Sequence, residues 1–147
     1  MNEEMKAVIE AIHKSKRILI TAHENPDGDA LGSTLGLGLG LEKLGKEAFF
    51  YNRDGVPELL TFLPRSERVV KSLEGAGRFD LAFAVDCTGT NRAGREFEEY
   101  IEAGNVDVVV IIDHHQTNSR SADIQLLDSG SSSTGEIIYL LLKTMSV

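Results

Sequence analysis

Met5, Val8, Ile9 and Ile12 recur at helical spacing among charged neighbours, which predicts an amphipathic helix over residues 3–14. The next apolar stretch, Arg17 to Ala22, is too short for a helix and nearly unbroken, as in a buried strand. A polar loop at 23–28 separates it from a Leu- and Gly-rich helix over 29–44, which Gly45 stops by adopting a left-handed conformation. A second strand is predicted over 47–52. Residues 53–79 hold two of the three prolines and mixed polarity, so they read as irregular chain with short helical turns at 57–62 and 66–73. Strands follow at 81–86, 106–113 and 124–128, with helices at 95–103 and 133–145.

Strands alternating with helices, and strands apolar along nearly their whole length, predict an α/β fold: a five-stranded doubly wound parallel sheet with helices on both faces and right-handed crossovers. Gly32, Gly36, Gly38 and Gly40 each cost a helix about 1 kcal/mol relative to alanine. Close backbone packing has to offset that cost, and the spacing of Gly32, Gly36 and Gly40 supplies a face for it.

Composition narrows the function. A formal charge of −8 without a Lys/Arg-rich run excludes a protein that grips duplex nucleic acid through a long basic surface. No apolar run approaches the roughly 18 residues of a membrane span, and the acidic N-terminus lacks the apolar core of a signal peptide. A single cysteine, Cys87, excludes an internal disulfide and a thiolate zinc site and fits a reducing compartment, so a cytoplasmic location is expected. A small buried residue is the default reading of Cys87, which is assigned no function.

The chemistry collects where strands end. The first strand leads into His23, the third ends at Asp86, the fourth at Asp113-His114-His115 and the fifth at Asp128. In an open parallel sheet these carboxyl edges lie side by side around a crevice, so residues distant in sequence converge there. Taken singly, each has a bland role: Asp27 and Asp29 as turn and helix-capping residues, Asp86 and Asp128 as strand-terminating turns, a lone histidine as a hydrogen-bonded structural group. Together those roles would have to place six or seven candidate ligands on one rim by accident. Five carboxylates gathered there repel one another unless cations intervene. Imidazole with carboxylate favours Mn²⁺, then Mg²⁺ or Fe²⁺. Within His23–Asp29, Pro26 and Gly28 form a rigid turn that aims two alternate carboxylates. Ser133 to Glu136 matches a capping box, and the helix start behind Ser132 and Ser133 also offers a phosphate cradle. Arg92, in a polar loop past the third strand, is a candidate phosphate contact, although a solvated arginine is its default role.

The motifs His23-x-x-Pro26-Asp27-Gly28-Asp29, Asp86, Asp113-His114-His115 and Asp128 with its serine-rich neighbour occur in the order of the DHH phosphoesterase family, which the chain resembles over essentially its whole length. Within that family the chain looks most like the oligoribonuclease/pAp-phosphatase (nanoRNase) type. The resemblance implies that His23 and Asp27 hold one Mn²⁺, that Asp29, His114 and Asp128 hold another, and that Asp86 bridges them. It implies that His115 faces the substrate phosphate, and that Asp113 orients a ligating histidine. Asp86, Asp113, His114 and His115 are then the catalytic group.

The expected activity is two-metal hydrolysis of short single-stranded RNA or of 3′-phosphorylated nucleotides such as pAp by a metal-activated water. The family's second, smaller substrate-binding domain has no counterpart within residues 1–147, so this metal-binding catalytic domain alone is expected to turn over poorly. Two alternatives compete. A phosphorelay receiver shares the fold and an acidic Mg²⁺ pocket but needs a lysine at the end of its fifth strand, where this chain has Asp128-Ser129-Gly130. A non-catalytic metal- or nucleotide-binding module would keep the site without turnover.

Overall fold

The computed structural model describes residues 1–119 and 121–147. Its order is α1 (Glu3–Lys14), β1 (Arg17–Ala22), α2 (Gly28–Lys43), β2 (Glu47–Phe50), β3 (Phe79–Val85), α3 (Arg95–Glu102), β4 (Val106–Asp113), β5 (Ile124–Leu127) and α4 (Thr134–Thr144). Every pairing is parallel, and the strands lie in the order β2-β1-β3-β4-β5. The chain runs outward from β1 to β2 and then returns to β3 on the other side of β1. The β1–β3 boundary is therefore the switch point, where the loops leave in opposite directions and open a crevice.

Alternation within the strands divides two cores. Ile18, Ile20, Leu81, Phe83, Val85, Val110 and Ile112 pack against Val8 and Ile12 of α1, Leu37 and Leu41 of α2 and Ile137, Ile138 and Leu141 of α4. Leu19, Ala82, Ala84, Val109 and Ile111 face the other way, toward Phe97 of α3, Phe79, Leu73 and Cys87. Helices therefore cover both faces, as the strand pattern predicts.

Close packing of α2 differs from the expected glycine face. A methyl group on Gly38 would lie 2.5 Å from Cζ of Phe50 and 2.9 Å from Cδ1 of Ile20, and one on Gly40 would lie 2.6 Å from Cδ2 of Leu142. Methyl groups on Gly32 and Gly36 would touch nothing within 4 Å. Gly38 thus admits the sheet and Gly40 admits α4, because the helix makes its close approaches at its C-terminal half. Residues 51–78 form the connection from β2 to β3, with 3-10 turns at Glu58–Leu60 and Ser66–Arg68. β2 is shorter than expected, since Tyr51 leaves the ladder to form an isolated bridge with Val70.

Candidate metal centre

Asp86 is the first residue beyond β3, and its backbone turns into the left-handed region with φ 56° while its N–H still donates to Ile112 of β4. A non-glycine residue pays for that conformation, and Asp is among the few that do so readily. The turn aims a carboxylate that is only 4% exposed back across the rim. Oδ2 lies 3.4 Å from Nε2 of His23, and Oδ1 lies 3.7 Å from Nε2 of His114 and 3.9 Å from Nδ1 of His115. Burial, followed by the nearby Asp29 charge, pushes the Asp86 carboxyl above its ordinary range, while a hydrogen bond from Thr134 opposes the rise.

His23 is held with one nitrogen committed. Its Nδ1 is 2.6 Å from the carbonyl of Glu24, which can only accept, so Nδ1 carries the proton. In its neutral form the ring presents the Nε2 lone pair to Oδ2 of Asp86 and, at 3.9 Å, to Oδ1 of Asp27. A lone pair facing two carboxylates is an arrangement of acceptors only. A cation between them resolves it, and the hard oxygen and imidazole donors suit Mn²⁺ or Mg²⁺. Asn52, buried two residues past the end of β2, donates to the His23 carbonyl at 3.1 Å and fixes the loop from the neighbouring connection.

Asp27 is the N-cap of α2, accepting from the N–H of Ala30 at 2.9 Å. Asp29, in the first turn of α2, accepts from the backbone N–H groups of Thr134 and Gly135 at 3.0 and 2.9 Å, and its Oδ2 also lies 3.8 Å from Nε2 of His114. Thr134 in turn donates its hydroxyl to Oδ1 of Asp86 at 3.0 Å. The first turn of α4 thus clasps two carboxylates at once. His115 donates from Nδ1 to Oδ1 of the fully buried Asp113 at 2.6 Å, and that hydrogen bond holds its imidazole above the ordinary range. Asn118 donates to Oδ2 of Asp113. Asp113 therefore orients His115.

Two groups of close donor atoms share Asp86: His23 with Asp27 on one side, His114 with His115 on the other. Asp128 does not join them. Its carboxylate accepts from the Ser131 hydroxyl and the Gly130 N–H within its own turn, which hold it below the ordinary range, and no histidine lies within ion-pair distance of it among the described residues. The turn role competes with the ligand role, and in this conformation the turn wins. Ser132 and Ser133 also have local partners: Ser132 donates its N–H and hydroxyl to Glu136, and Ser133 accepts from the Glu136 N–H. The helix start expected to cradle phosphate is filled by Asp29 instead. Arg92, by contrast, lines a cleft of about 290 Å³ together with His23, Asp86, Thr88 and His115.

Cys87 is fully buried, and burial followed by the charges of Asp86 and Asp113 pushes its thiol up, away from reactivity. Thr134, Asn52 and Asn118 escape a sequence reading of the centre. Only Thr134 carried a signal, as part of the serine-rich helix start, and that signal points to capping.

The description "DHH family, N-terminal domain" matches residues 17–146. The chain belongs to the DHH family. That membership displaces the receiver alternative. The DHH domain is 32% identical over 147 residues to a bifunctional oligoribonuclease and PAP phosphatase, NrnA, of Thermus thermophilus, covering 99% of this chain and 42% of that protein. It is 30% identical over 141 residues to a probable manganese-dependent inorganic pyrophosphatase of Streptococcus thermophilus, covering 89% of this chain and 42% of the relative. A crystal structure of an exopolyphosphatase-related protein from Bacteroides fragilis superposes with a TM-score of 0.85 at 25% identity, covering 97% of this chain and 43% of that one. The chain thus spans less than half the length of these relatives. No helix among the described residues is long and apolar enough to cross a membrane.

Proposed function

We propose that this DHH domain is the metal-binding part of a phosphoesterase that uses two divalent cations, Mn²⁺ ahead of Mg²⁺, on short oligoribonucleotides or 3′-phosphorylated nucleotides such as pAp. The observation that carries the reading is the buried carboxylate of Asp86, which turns one oxygen toward His23 and the other toward His114 and His115. One carboxylate between two donor groups is what a pair of neighbouring cations needs. The activities for which the Thermus and Streptococcus relatives are named support the nucleotide class and the manganese.

In this reading His23 and Asp27 would hold one ion and Asp29 and His114 the other, with Asp86 shared between them. Such ions would supply a water of lowered pKa and positive charge for the phosphoryl oxygens. The chain's own residues do the rest. Glu24 and Asn52 hold the His23 loop so that its Nε2 faces inward. With Nδ1 bound to Asp113, His115 keeps Nε2 for a substrate oxygen. Arg92, whose guanidinium has no carboxylate partner among the described residues, meets the phosphate at the cleft wall.

The experiment is release of mononucleotide from a short oligoribonucleotide, and of phosphate from pAp, with and without Mn²⁺, for the wild type and Asp86→Asn. Metal-dependent hydrolysis that Asp86→Asn lowers by at least a hundredfold is expected. Mn²⁺ bound at two sites with no hydrolysis would leave the non-catalytic binding module as the correct reading; undiminished activity of Asp86→Asn would remove the bridging role.

A further inference from the structure

We propose that Asp54 is a positioning residue for the cation site of His23 and Asp27, holding the loop between them in a shape that the loop's own sequence disfavours. The inference rests on the metal-centre reading and adds a corner of the β2–β3 connection to it. Asn25, between His23 and Asp27, has φ 50°. Asparagine tolerates the left-handed region better than most residues. Here Pro26 follows it, and a proline presses the preceding residue toward extended backbone. A conformation opposed in this way persists only where the surrounding structure imposes it, and such segments collect at functional sites.

The imposing structure is a run of three residues just past β2. Asn52 donates to the His23 carbonyl at 3.1 Å, Arg53 pairs with Glu24 at 3.1 Å, and Asp54 accepts from the Asn25 N–H at 2.6 Å. Residues 52–54 thus clamp residues 23–25 one to one. The corner is itself braced. Oδ1 of Asn52 accepts from the Asp54 N–H at 3.0 Å, the Asn52 carbonyl accepts from the Gly55 N–H at 2.9 Å, and the Asn52 N–H donates to the Val70 carbonyl at 3.0 Å.

Of the three contacts, that of Asp54 governs the shape of the loop. Arg53 and Glu24 are both about half exposed, and an ion pair of that kind contributes little. Asp54 instead makes a charge-assisted hydrogen bond to the strained peptide itself. On one side of that peptide, the Glu24 carbonyl takes the Nδ1 proton of His23, and the Glu24 N–H donates to the Arg92 carbonyl at 2.7 Å. On the other side, Asp27 caps α2. A shift at Asn25 therefore moves His23 relative to Asp27. Asp29 and His114 make no hydrogen bond or ion pair with the corner among the described residues, and Asp29 is held by α4. Loss of Asp54 thus disturbs one cation site of the two.

The test compares the whole chain as wild type, Asp54→Ala, Asp54→Asn and His23→Ala. Calorimetric titration with Mn²⁺ should give two sites in the wild type. In Asp54→Ala one of them should weaken about fivefold, as the loss of one exposed hydrogen bond implies, and it should be the site that His23→Ala removes. Asp54→Asn keeps an acceptor oxygen and should recover part of the loss. In the metal-free protein, Asp54→Ala should speed solvent exchange of the Asn25 amide and shift the amide NMR signals of residues 23–25, 27 and 92 but not those of 29 and 114, with the melting temperature little changed. A merely structural role gives a lower melting temperature and two sites weakened together. That result, or two sites of wild-type affinity in Asp54→Ala, would overturn the positioning role. If the metal-free signals behave as stated while the wild type binds no Mn²⁺, the clamp on the loop stands and the metal reading falls.

Discussion

Thr134 and Asp86 are 48 positions apart in the chain and are joined by a hydrogen bond of 3.0 Å from the Thr134 hydroxyl to Oδ1 of Asp86. The N–H of the same threonine donates to Asp29. One residue at a helix start therefore ties together a carboxylate from the start of α2 and one from the end of β3, on the two sides of the switch point of the sheet. Its hydroxyl also opposes the burial and the Asp29 charge that push Asp86 up.

Thr134→Val removes that opposition, so the Asp86 carboxyl rises further and protons compete with metal at higher pH. In Mn²⁺ titrations followed by electron paramagnetic resonance, the pH below which binding is lost should move upward in Thr134→Val and return in Thr134→Ser. The metal-free protein has the opposite dependence. A carboxyl raised on folding contributes stability that is present below its ordinary value of 3.8 and lost as pH rises through the folded value, so mild acidification in that window should raise the melting temperature.

His115 titrates under the control of Asp113. Its folded value lies above the ordinary 6.5, so its contribution to stability is present below 6.5 and lost as pH rises through the raised value. Asp113→Asn should bring the midpoint down toward the ordinary value, read from the imidazole proton shifts of the metal-free protein by NMR. A midpoint that does not move would show that the 2.6 Å contact is not what raises it.

Each Mn²⁺ bound at the centre should stabilise the fold by about 2.7 kcal/mol at a hundred times its dissociation constant. Chelation reverses the gain. Asp86→Asn keeps a residue tolerant of the left-handed backbone yet removes the shared charge, so its melting temperature should respond little to Mn²⁺. A response equal to the wild type would place the ions elsewhere.

Two glycines on the same helix should give stability changes of opposite sign. Gly36→Ala adds a methyl group into open space and should stabilise by about 0.5–1 kcal/mol through helix propensity. Gly38→Ala drives one into the buried Phe50 ring and Ile20 and should destabilise by about 1–3 kcal/mol. Denaturant unfolding of the metal-free variants checks both.

The fold was legible because strand and helix periods are strong local signals, and the elements fall within a few residues of their expected bounds. Tyr51 leaves its ladder for Val70, a pairing across the chain that no local pattern encodes. The rim was legible where ligand candidates follow strands directly, as His23, Asp86, His114 and His115 do. Asp128 follows a strand too, but the choice between ligand and turn depends on Ser131 and Gly130 in three dimensions. For Ser132 and Ser133 the capping pattern was visible. That Asp29 would reach across from α2 to occupy the α4 N–H groups was not, since the contact spans more than a hundred residues.

The ligand candidates fall on either side of the long β2–β3 connection, with His23, Asp27 and Asp29 before it and Asp86, His114 and His115 after it. Severing the backbone between Glu58 and Arg68 would yield two polypeptides, each with an incomplete donor set. A bound cation would then act as a fastener between fragments, and their reassembly would become a sensor for the metal.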